Sequence, residues 1–320
     1  MKYVAVTMKG AEDLACKEVK SPCKRIYDGH MLFEAKDLKG FSPRLVNRVY
    51  SYLGHFRFSS LQDLISKSSK LKFSLKGSFV VRCFRQGQHD FNSKIIEKDV
   101  GEVIYKKGFK VNLKNPDNTV IVDIVDDNCC IGLLAMNDLC KRSYRIKSFS
   151  ASINACLAAA AIKFSGVKKS SIVVDPFCKD GVIPIEASLV GCKSAVGLDE
   201  SANNIRAAKI NAKLANAKVK FVKSNVDSLD MKVDENSVDF IITCPPFISK
   251  RKKQAAIESV YREFFHQARN MLKDSGSLTL ISHKPELLLV CAKRAGFKPV
   301  KEREIFVSNM YYKVVIFRKI

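Results

Sequence analysis

The sequence predicts an α/β protein: a mostly parallel, doubly wound sheet in the C-terminal half, closed by an antiparallel hairpin and preceded by smaller α/β modules. Three observations predict it. From about residue 152 onward, short Val- and Ile-rich runs alternate with helical patterns, the signature of parallel strands joined by crossover helices. The stretch "VKEREIFVSNMYYKVVIFRK" near the end instead reads as two strands about a turn, which inserts one antiparallel strand. The chain has 320 residues, enough for about two domains at roughly 150 residues each.

Taken in order, "KYVAVTM" reads as a strand, "GAEDLACKEV" as a helix, and short elements continue to "RLVNRVYSYLGHFRF". "LQDLISKSSKL" reads as a helix and "GSFVVRCFR" as a strand. "NSKIIEKDVGEVIYKKG" carries apolar residues at helical spacing, with Ser93 as the expected N-cap. The strand "FKVNL", the turn "KNPDN" and the strand "TVIVDIV" follow. After "KRSYRIK" comes the helix "SINACLAAAAIKFSG", then the strands "SIVVD", "SAVGLD", "VKFVKS", "VDFIIT" and "SLTLIS" with helices between them. No internal repeat or low-complexity segment is present.

Composition narrows the function. No apolar run approaches the roughly 20 residues of a membrane span, and the start "MKYVAVTMKGAEDL" lacks the pattern of a secretory signal. A cytoplasmic protein with no membrane partner is expected. Eleven cysteines form no CxxC pair and the five histidines do not cluster with them, so no metal site is expected. In a reducing compartment most of these thiols, Cys129 and Cys130 included, are expected to be small core residues rather than disulfide partners. Net charge is +23, with 27 basic and 16 acidic side chains in residues 1–150 and 28 and 16 in the remainder. A polyanion touching both halves is the natural partner. Lysine-rich thermophilic proteins usually add Glu in parallel, which this chain does not. Charge alone does not separate RNA from DNA.

Candidate chemistry lies at the carboxyl ends of the parallel strands, where open α/β sheets bind ligands. "VVDPFCKDG" places Asp175 at the first strand tip, with Gly181 letting the backbone bend toward a ligand. "VGLDE" places Asp199 at the second, suited to accept ribose hydroxyls, and "KSNVD" places Asn225 at the third, suited to accept from an adenine amine. Each alone reads most simply as a cap or turn residue. Three in register, beside the turn "TCPPF" on the fourth strand, point to a nucleoside cofactor. GxGxxG and the P-loop are absent.

The stretches "VVDPFCKDGVIPIEASL", "GLDESANNIRAAKINAKLA" and "DFIITCPPF" resemble the motifs DPxCGSGTxxIEA and (D/N)PP(Y/F) of S-adenosylmethionine-dependent methyltransferases that act on amino groups. "VVRCFRQGQHDFNSKIIEKDVGEVIYKKGFKVNLKNPDNTVIVDIV" resembles a THUMP domain, an RNA-binding module of tRNA-modifying enzymes. "KRSYRIKSFSASINACLAAAAI" is similar to the linker and helix that join these modules in tRNA guanine-N2 methyltransferases. The resemblance covers essentially the whole chain. It implies a ferredoxin-like unit over residues 1–59, a THUMP domain over 60–140, a linker over 141–155 and a Rossmann-like class I methyltransferase domain over 156–320. It also implies S-adenosyl-L-methionine as cofactor and tRNA as partner, with the 3′ end on the THUMP domain and the acceptor stem at the active site. The opening "MKYVAVTMKGAEDLACKE" and the linker "KRSYR" resemble the branch that modifies guanosine 6; the branch acting on guanosine 10 shares the architecture.

Carried over residue by residue, the resemblance makes Asp175, Phe177, Cys178, Lys179, Gly181, Asp199, Asn225 and Val226 the cofactor-binding set. Cys244, Pro245, Pro246 and Phe247 become the catalytic turn. Pro245 would lock the turn and aim its carbonyl at the amine, and Phe247 would stack on the base. The basic loop "SKRKK" at 249–253 would grip phosphates, although a solvated charge run is an equal reading in isolation. The chain departs from the pattern at four places: Cys244 for Asn, Lys179 for Gly, Asn225 for Asp, and "SFSAS" at 148–152 where His-Pro is common. Lys179 either blocks the cofactor's methionine end or contacts its carboxylate. Three other readings stand beside the main one: an adenine-N6 methyltransferase, a C5 methyltransferase with a cysteine nucleophile, and a tRNA-binding relative that has lost catalysis. The second is disfavoured because its cysteine usually follows a proline, whereas Cys244 precedes one.

Overall fold

The computed structural model describes residues 1–19, 21–149, 152–248 and 254–320. The basic loop at 249–253 and the centre of "SFSAS" lie outside the described residues. The chain forms two compact units, one of residues 1–7 and 15–139, the other of residues 8–14 and 140–320.

The first unit is built on one eight-stranded sheet. Its strands are β1 (Lys2–Thr7), β2 (Cys23–Tyr27), β3 (His30–Glu34), β4 (Val46–Arg57), β5 (Ser78–Gln86), β6 (Lys110–Val111), β7 (Asn118–Val125) and β8 (Asn128–Met136). They run in the order β2-β3-β1-β4-β8-β7-β5-β6. Strand β4 pairs with both β1 and β8, so the segments on either side of residue 59 share one sheet. A buried charge cluster binds the same segments: Arg48 on β4 donates to Asp123 on β7 across 2.8 Å, and His30 on β3 lies 3.2 Å from the same carboxylate. Helices α2 (Leu61–Ser69) and α3 (Ser93–Tyr105) bury Leu64, Ile96, Val100 and Ile104 against Phe79, Val81, Val122 and Cys129 on one face. Cys130 points to the opposite face, with Val4, Tyr27, Tyr50 and Ile121, as the two-residue strand period requires. Asn92, not Ser93, caps α3, its side chain accepting from the amide of Ile95 at 3.1 Å.

The second unit holds α4 (Ala155–Ser165), β9 (Ile172–Asp175), α5 (Val182–Leu189), β10 (Ser194–Asp199), α6 (Ala202–Leu214), β11 (Lys220–Lys223), β12 (Val238–Thr243), α7 (Gln254–Met271), β13 (Leu272–Ser282), α8 (Glu286–Arg294), β14 (Phe297–Val307) and β15 (Met310–Lys319). The sheet order is β11-β10-β9-β12-β13-β15-β14. Pairing is parallel from β11 to β13, and β15 runs antiparallel between β13 and β14. The expected doubly wound sheet with one inserted antiparallel strand is therefore present. Helices α7 and α8 cover one face through Ile257, Phe264, Phe265, Met271 and Leu288; α5 and α6 cover the other through Ile185, Ile205 and Ala208. Segment 8–14 joins this unit by a bridge from Lys9 to Phe306 and by Arg303, which donates to the Gly10 carbonyl at 2.7 Å and to Asp13. Gly10 has φ +88°, and a Cβ there would sit 2.1 Å from the Glu304 carbonyl oxygen.

Four cysteines depart from the expected free thiols. Cys16 pairs with Cys23 and Cys140 with Cys156, at Cα separations of 5.6 and 5.8 Å, within the range a bridge needs. Helix α1 (Glu12–Cys16) and strand β6 are shorter than the sequence suggests. Among the described residues, no helix is long and apolar enough to cross a membrane.

Candidate active site

Parallel pairing sets the carboxyl ends of β11, β10, β9 and β12 side by side. Asp175 closes β9 and is buried. It accepts from the Thr243 hydroxyl at the end of β12, at 2.6 Å, and from the Phe177 amide at 3.1 Å. Burial pushes its carboxyl up to about 7 in spite of both donors. Asp175 thus ties the loop after β9 to the turn after β12.

Asp199 ends β10 and is buried. Its carboxylate accepts from the Lys179 amide at 3.0 Å, the Ser201 amide at 2.9 Å and the Asn204 side chain at 2.8 Å. A carboxylate offers about four acceptor positions, so these three donors leave room for one ligand hydroxyl. Asn225 is exposed, directly ahead of the short 3-10 turn Val226–Ser228.

The loop "DPFCKDG" explains its own sequence. Phe177 is half-buried, edge-on to Phe264 at 5.3 Å. The Cys178 side chain turns inward among Ile185, Ala208 and Phe221, where burial pushes its thiol up. Lys179 has φ +49°, the left-handed region where a side chain costs about 1–2 kcal/mol, which accounts for a glycine at the matching place in the motif. Gly181 has φ +83°, and a Cβ would lie 2.8 Å from the Phe221 ring and 2.9 Å from Ala208. Its lack of a side chain serves the chain reversal into α5 and its packing.

A cavity of about 150 Å³ opens at these strand ends, lined by Phe177, Lys179, Asp199, Val226 and Pro246 together with Asn204, Ser224 and Val260. A smaller hollow beside it brings Lys179 and Phe177 together with Asp175, Cys178 and Cys244. Cys244 and Pro245 are buried, and the Pro246 carbonyl accepts from the Tyr261 hydroxyl on α7. Burial pushes the Cys244 thiol up, with Lys179 pulling the other way and Asp175 adding to the rise; the group is a neutral thiol. Phe247 packs edge-on against His283 with ring centroids 4.4 Å apart.

The linker holds residues that sequence reasoning missed. Arg142 donates to Glu186 on α5 at 2.9 Å and the Tyr144 hydroxyl donates to the same oxygen at 2.7 Å. Arg145 donates to Asp180 at 3.0 Å. Asn211 on α6 donates to the carbonyls of Lys147 and Asp180 at 2.7 and 3.0 Å. "KRSYR" therefore braces the loop after β9 from behind. Its three basic residues with Tyr144 among them, set against the acid of "IPIEA", were the available signal. Among the described residues, no three His, Cys, Asp or Glu side chains cluster as a metal site.

Comparison with known proteins identifies the fold and the modules. Residues 142–313 match the model of the UPF0020 (RMKL-like) methyltransferase domain, more than half of the 320-residue chain. The chain belongs to this methyltransferase family. Residues 57–134 match the THUMP domain. A tRNA (guanine(6)-N2)-methyltransferase of Archaeoglobus fulgidus is 27% identical, across 99% of this chain and 92% of its own length. A tRNA (guanine(10)-N2)-dimethyltransferase of Methanocaldococcus jannaschii is 28% identical across 83% and 78%. Among solved structures, TrmN from Thermus thermophilus superposes with a TM-score of 0.79 at 23% identity, covering 100% of this chain and 99% of that one. The sheet order and this match make the second unit a class I methyltransferase fold, with the THUMP module within the first.

S-adenosylmethionine is the cofactor of this methyltransferase domain, and the strand ends suit it. One free acceptor position on Asp199, apolar walls from Phe177 and Val226 and the Lys179 ammonium share one crevice. That set matches a nucleoside joined to an amino acid.

Proposed function

We propose that this chain transfers a methyl group from S-adenosylmethionine to the exocyclic N2 of guanosine 6 in the acceptor stem of tRNA. The end-to-end similarity to the Archaeoglobus enzyme, 99% of this chain and 92% of that one, carries the reading. The turn Pro245–Phe247, with Pro246 lining the cavity, gives it a chemical basis.

Asp199 receives a ribose hydroxyl, Phe177 and Val226 flank the adenine, and Asn225 and the neighbouring backbone meet its edge. Lys179 offers its ammonium to the methionine carboxylate. Bound there, the cofactor supplies a sulfonium-activated methyl group. The protein's main task is then alignment, because a correctly oriented pair gains most of its rate from lost freedom already removed. Pro245 fixes the turn and provides a backbone acceptor for the amine, while Phe247 stacks on the base after it leaves the helix. Cys244 packs as a thiol, a weak donor and acceptor, and forms no covalent bond to the base. The THUMP-containing unit holds the single-stranded 3′ end. A cytosolic location agrees with this substrate.

The 28% identity to a guanosine-10 dimethyltransferase over 83% of the chain supports a second reading in which guanosine 10 is the target. Methyl transfer from labelled S-adenosylmethionine to tRNA transcripts carrying adenosine at position 6 or at position 10 separates the two. Loss of labelling only with the position-6 change supports the proposal. Loss only with the position-10 change supports the alternative, and labelling of neither parent nor variants contradicts both.

A further inference from the structure

Three adjacent strand ends carry rings that meet beside the catalytic turn. Phe247 follows β12, His283 follows β13 and Tyr312 lies on β15. The registers Thr243 with Leu280 and Ser282 with Lys313 set them in file. Phe247 and His283 meet edge-on at 4.4 Å, and His283 and Tyr312 edge-on at 5.5 Å. The turn is fixed: the Lys284 amide donates to the buried Ser282 hydroxyl at 3.0 Å, and the Lys284 ammonium reaches the Ile248 carbonyl at 3.4 Å. His283 itself is only half-buried, so one side packs while the other stays open. Packing alone needs no imidazole there; a phenyl ring would fill the place.

We infer that His283 accepts the proton released by the target amine, a polar role that the buried thiol of Cys244 does not fill. The inference rests on guanosine N2 as the acceptor. As N2 attacks, an N–C bond forms and the S–C bond breaks, leaving a neutral thioether and a positively charged N2. One N2 proton moves to the neutral imidazole, which passes it to water from its open side, so atoms and charge balance. The methylated N2 cation still bears two protons and is strongly acidic, so a weak base is sufficient. The groups facing the imidazole are Lys284 on its own turn, Lys179 from the loop after β9, Tyr312 on β15 and the uncharged Phe247. Burial and then the two lysines hold His283 below its ordinary value of 6.5, which keeps it neutral and able to accept.

The test uses the full chain, tRNA and single-turnover transfer across pH, with His283→Phe and His283→Gln. Phenylalanine keeps the edge contact with Phe247; glutamine keeps an acceptor but takes up no proton. An NMR titration of His283 in the protein alone gives its midpoint independently, and S-adenosylhomocysteine calorimetry checks that each variant retains its fold. The expected result is an acid limb in the wild-type rate whose midpoint equals the NMR midpoint. His283→Phe should lose ~100-fold or more in the single-turnover rate with the half-saturating tRNA concentration unchanged, and His283→Gln should retain a reduced rate without the acid limb. Wild-type rate and acid limb in either variant, or a midpoint that differs from the NMR value, would overturn the inference. If a variant fails to bind S-adenosylhomocysteine, the two wild-type midpoints decide alone. Absence of N2-methylguanosine with the unaltered chain would overturn the proposed function, and this inference with it. Product formed at a rate indifferent to His283 would overturn the inference alone.

Discussion

The backbone amide of Lys179 donates to the carboxylate of Asp199 across 3.0 Å. One hydrogen bond thus fastens the loop after β9 to the tip of β10 and fixes the shape of the cavity that both line. Asp199→Ala should remove this tie and the remaining acceptor position together. Affinity for S-adenosylhomocysteine should fall by roughly 1.5–3 kcal/mol, the range for a hydrogen bond to a charged group. Calorimetry on a variant with unaltered circular dichroism is the check, and an unchanged Kd would displace the cofactor from these strand ends.

Asp175 makes the stability of the methyltransferase unit depend on pH. Between the ordinary value of 3.8 and about 7, the folded chain keeps a proton on this carboxyl that the unfolded chain has released. Stability from this group is therefore present at low pH and falls as pH rises through that window. Asp175→Asn keeps an oxygen for the Thr243 hydroxyl and the Phe177 amide but carries no charge. It should be more stable than wild type at about pH 8 and lose the slope in urea denaturation between about pH 4 and 7. Parallel pH profiles for the two proteins would contradict the assignment.

Glu186 is fully buried and receives both Arg142 and Tyr144. Removing one partner of a buried ion pair costs roughly 3–5 kcal/mol, so Glu186→Ala should strongly destabilise the unit. Tyr144→Phe, losing one hydrogen bond, should cost about 1.5 kcal/mol or somewhat more. Equal, small effects in denaturant titrations would mean that the linker is not held in this way.

In the first unit, Arg82, Lys94 and Lys98 line a groove of about 550 Å³ with the exposed Tyr105. Arg82 also donates to the Val81 carbonyl at 3.4 Å and lies 3.9 Å from Glu97; Arg85 is outside the groove lining, held to the Gly87 carbonyl at 3.3 Å and to His89 at 2.9 Å. Arg82→Ala and Lys94→Ala should each weaken tRNA binding and lower its salt slope by about one. Arg85→Ala should change it less. Truncating the tRNA 3′ CCA should abolish the difference between wild type and the groove variants; persistence of that difference would locate the 3′ end elsewhere.

The second unit's sheet was legible because its strands are short apolar runs bounded by turn residues, and the Asp175 and Asp199 strand ends follow from parallel pairing. Side-chain direction was less legible. Cys178 sits in the motif yet turns into the core, between the turn at Pro176–Phe177 and the left-handed Lys179 at φ +49°. Asp199 stands at a strand end suited to ribose hydroxyls, but three protein donors that the sequence does not reveal already reach it. The pairs Cys16–Cys23 and Cys140–Cys156 have spacings that fit no metal motif, and spacing alone does not reveal bridging geometry. His283 and Tyr312 come from segments far from the motifs in sequence, and only sheet register brings them to the site; Arg142 lies in the linker, but its partner Glu186 is 44 residues away and is met only by packing.

In the proposed mechanism the site works by alignment, with Cys244 as a packed thiol and not a nucleophile. Single-turnover transfer to tRNA by wild type, Cys244→Asn and Cys244→Ser, with the product identified by nucleoside mass spectrometry, tests it most directly. The predicted product is N2-methylguanosine from all three. Asn should match or exceed the wild-type rate and Ser should stay within several-fold, since one side-chain hydrogen bond is worth about 1 kcal/mol. Complete loss of transfer in either variant, with S-adenosylhomocysteine and tRNA still bound, would show that the sulfur is essential and contradict the account.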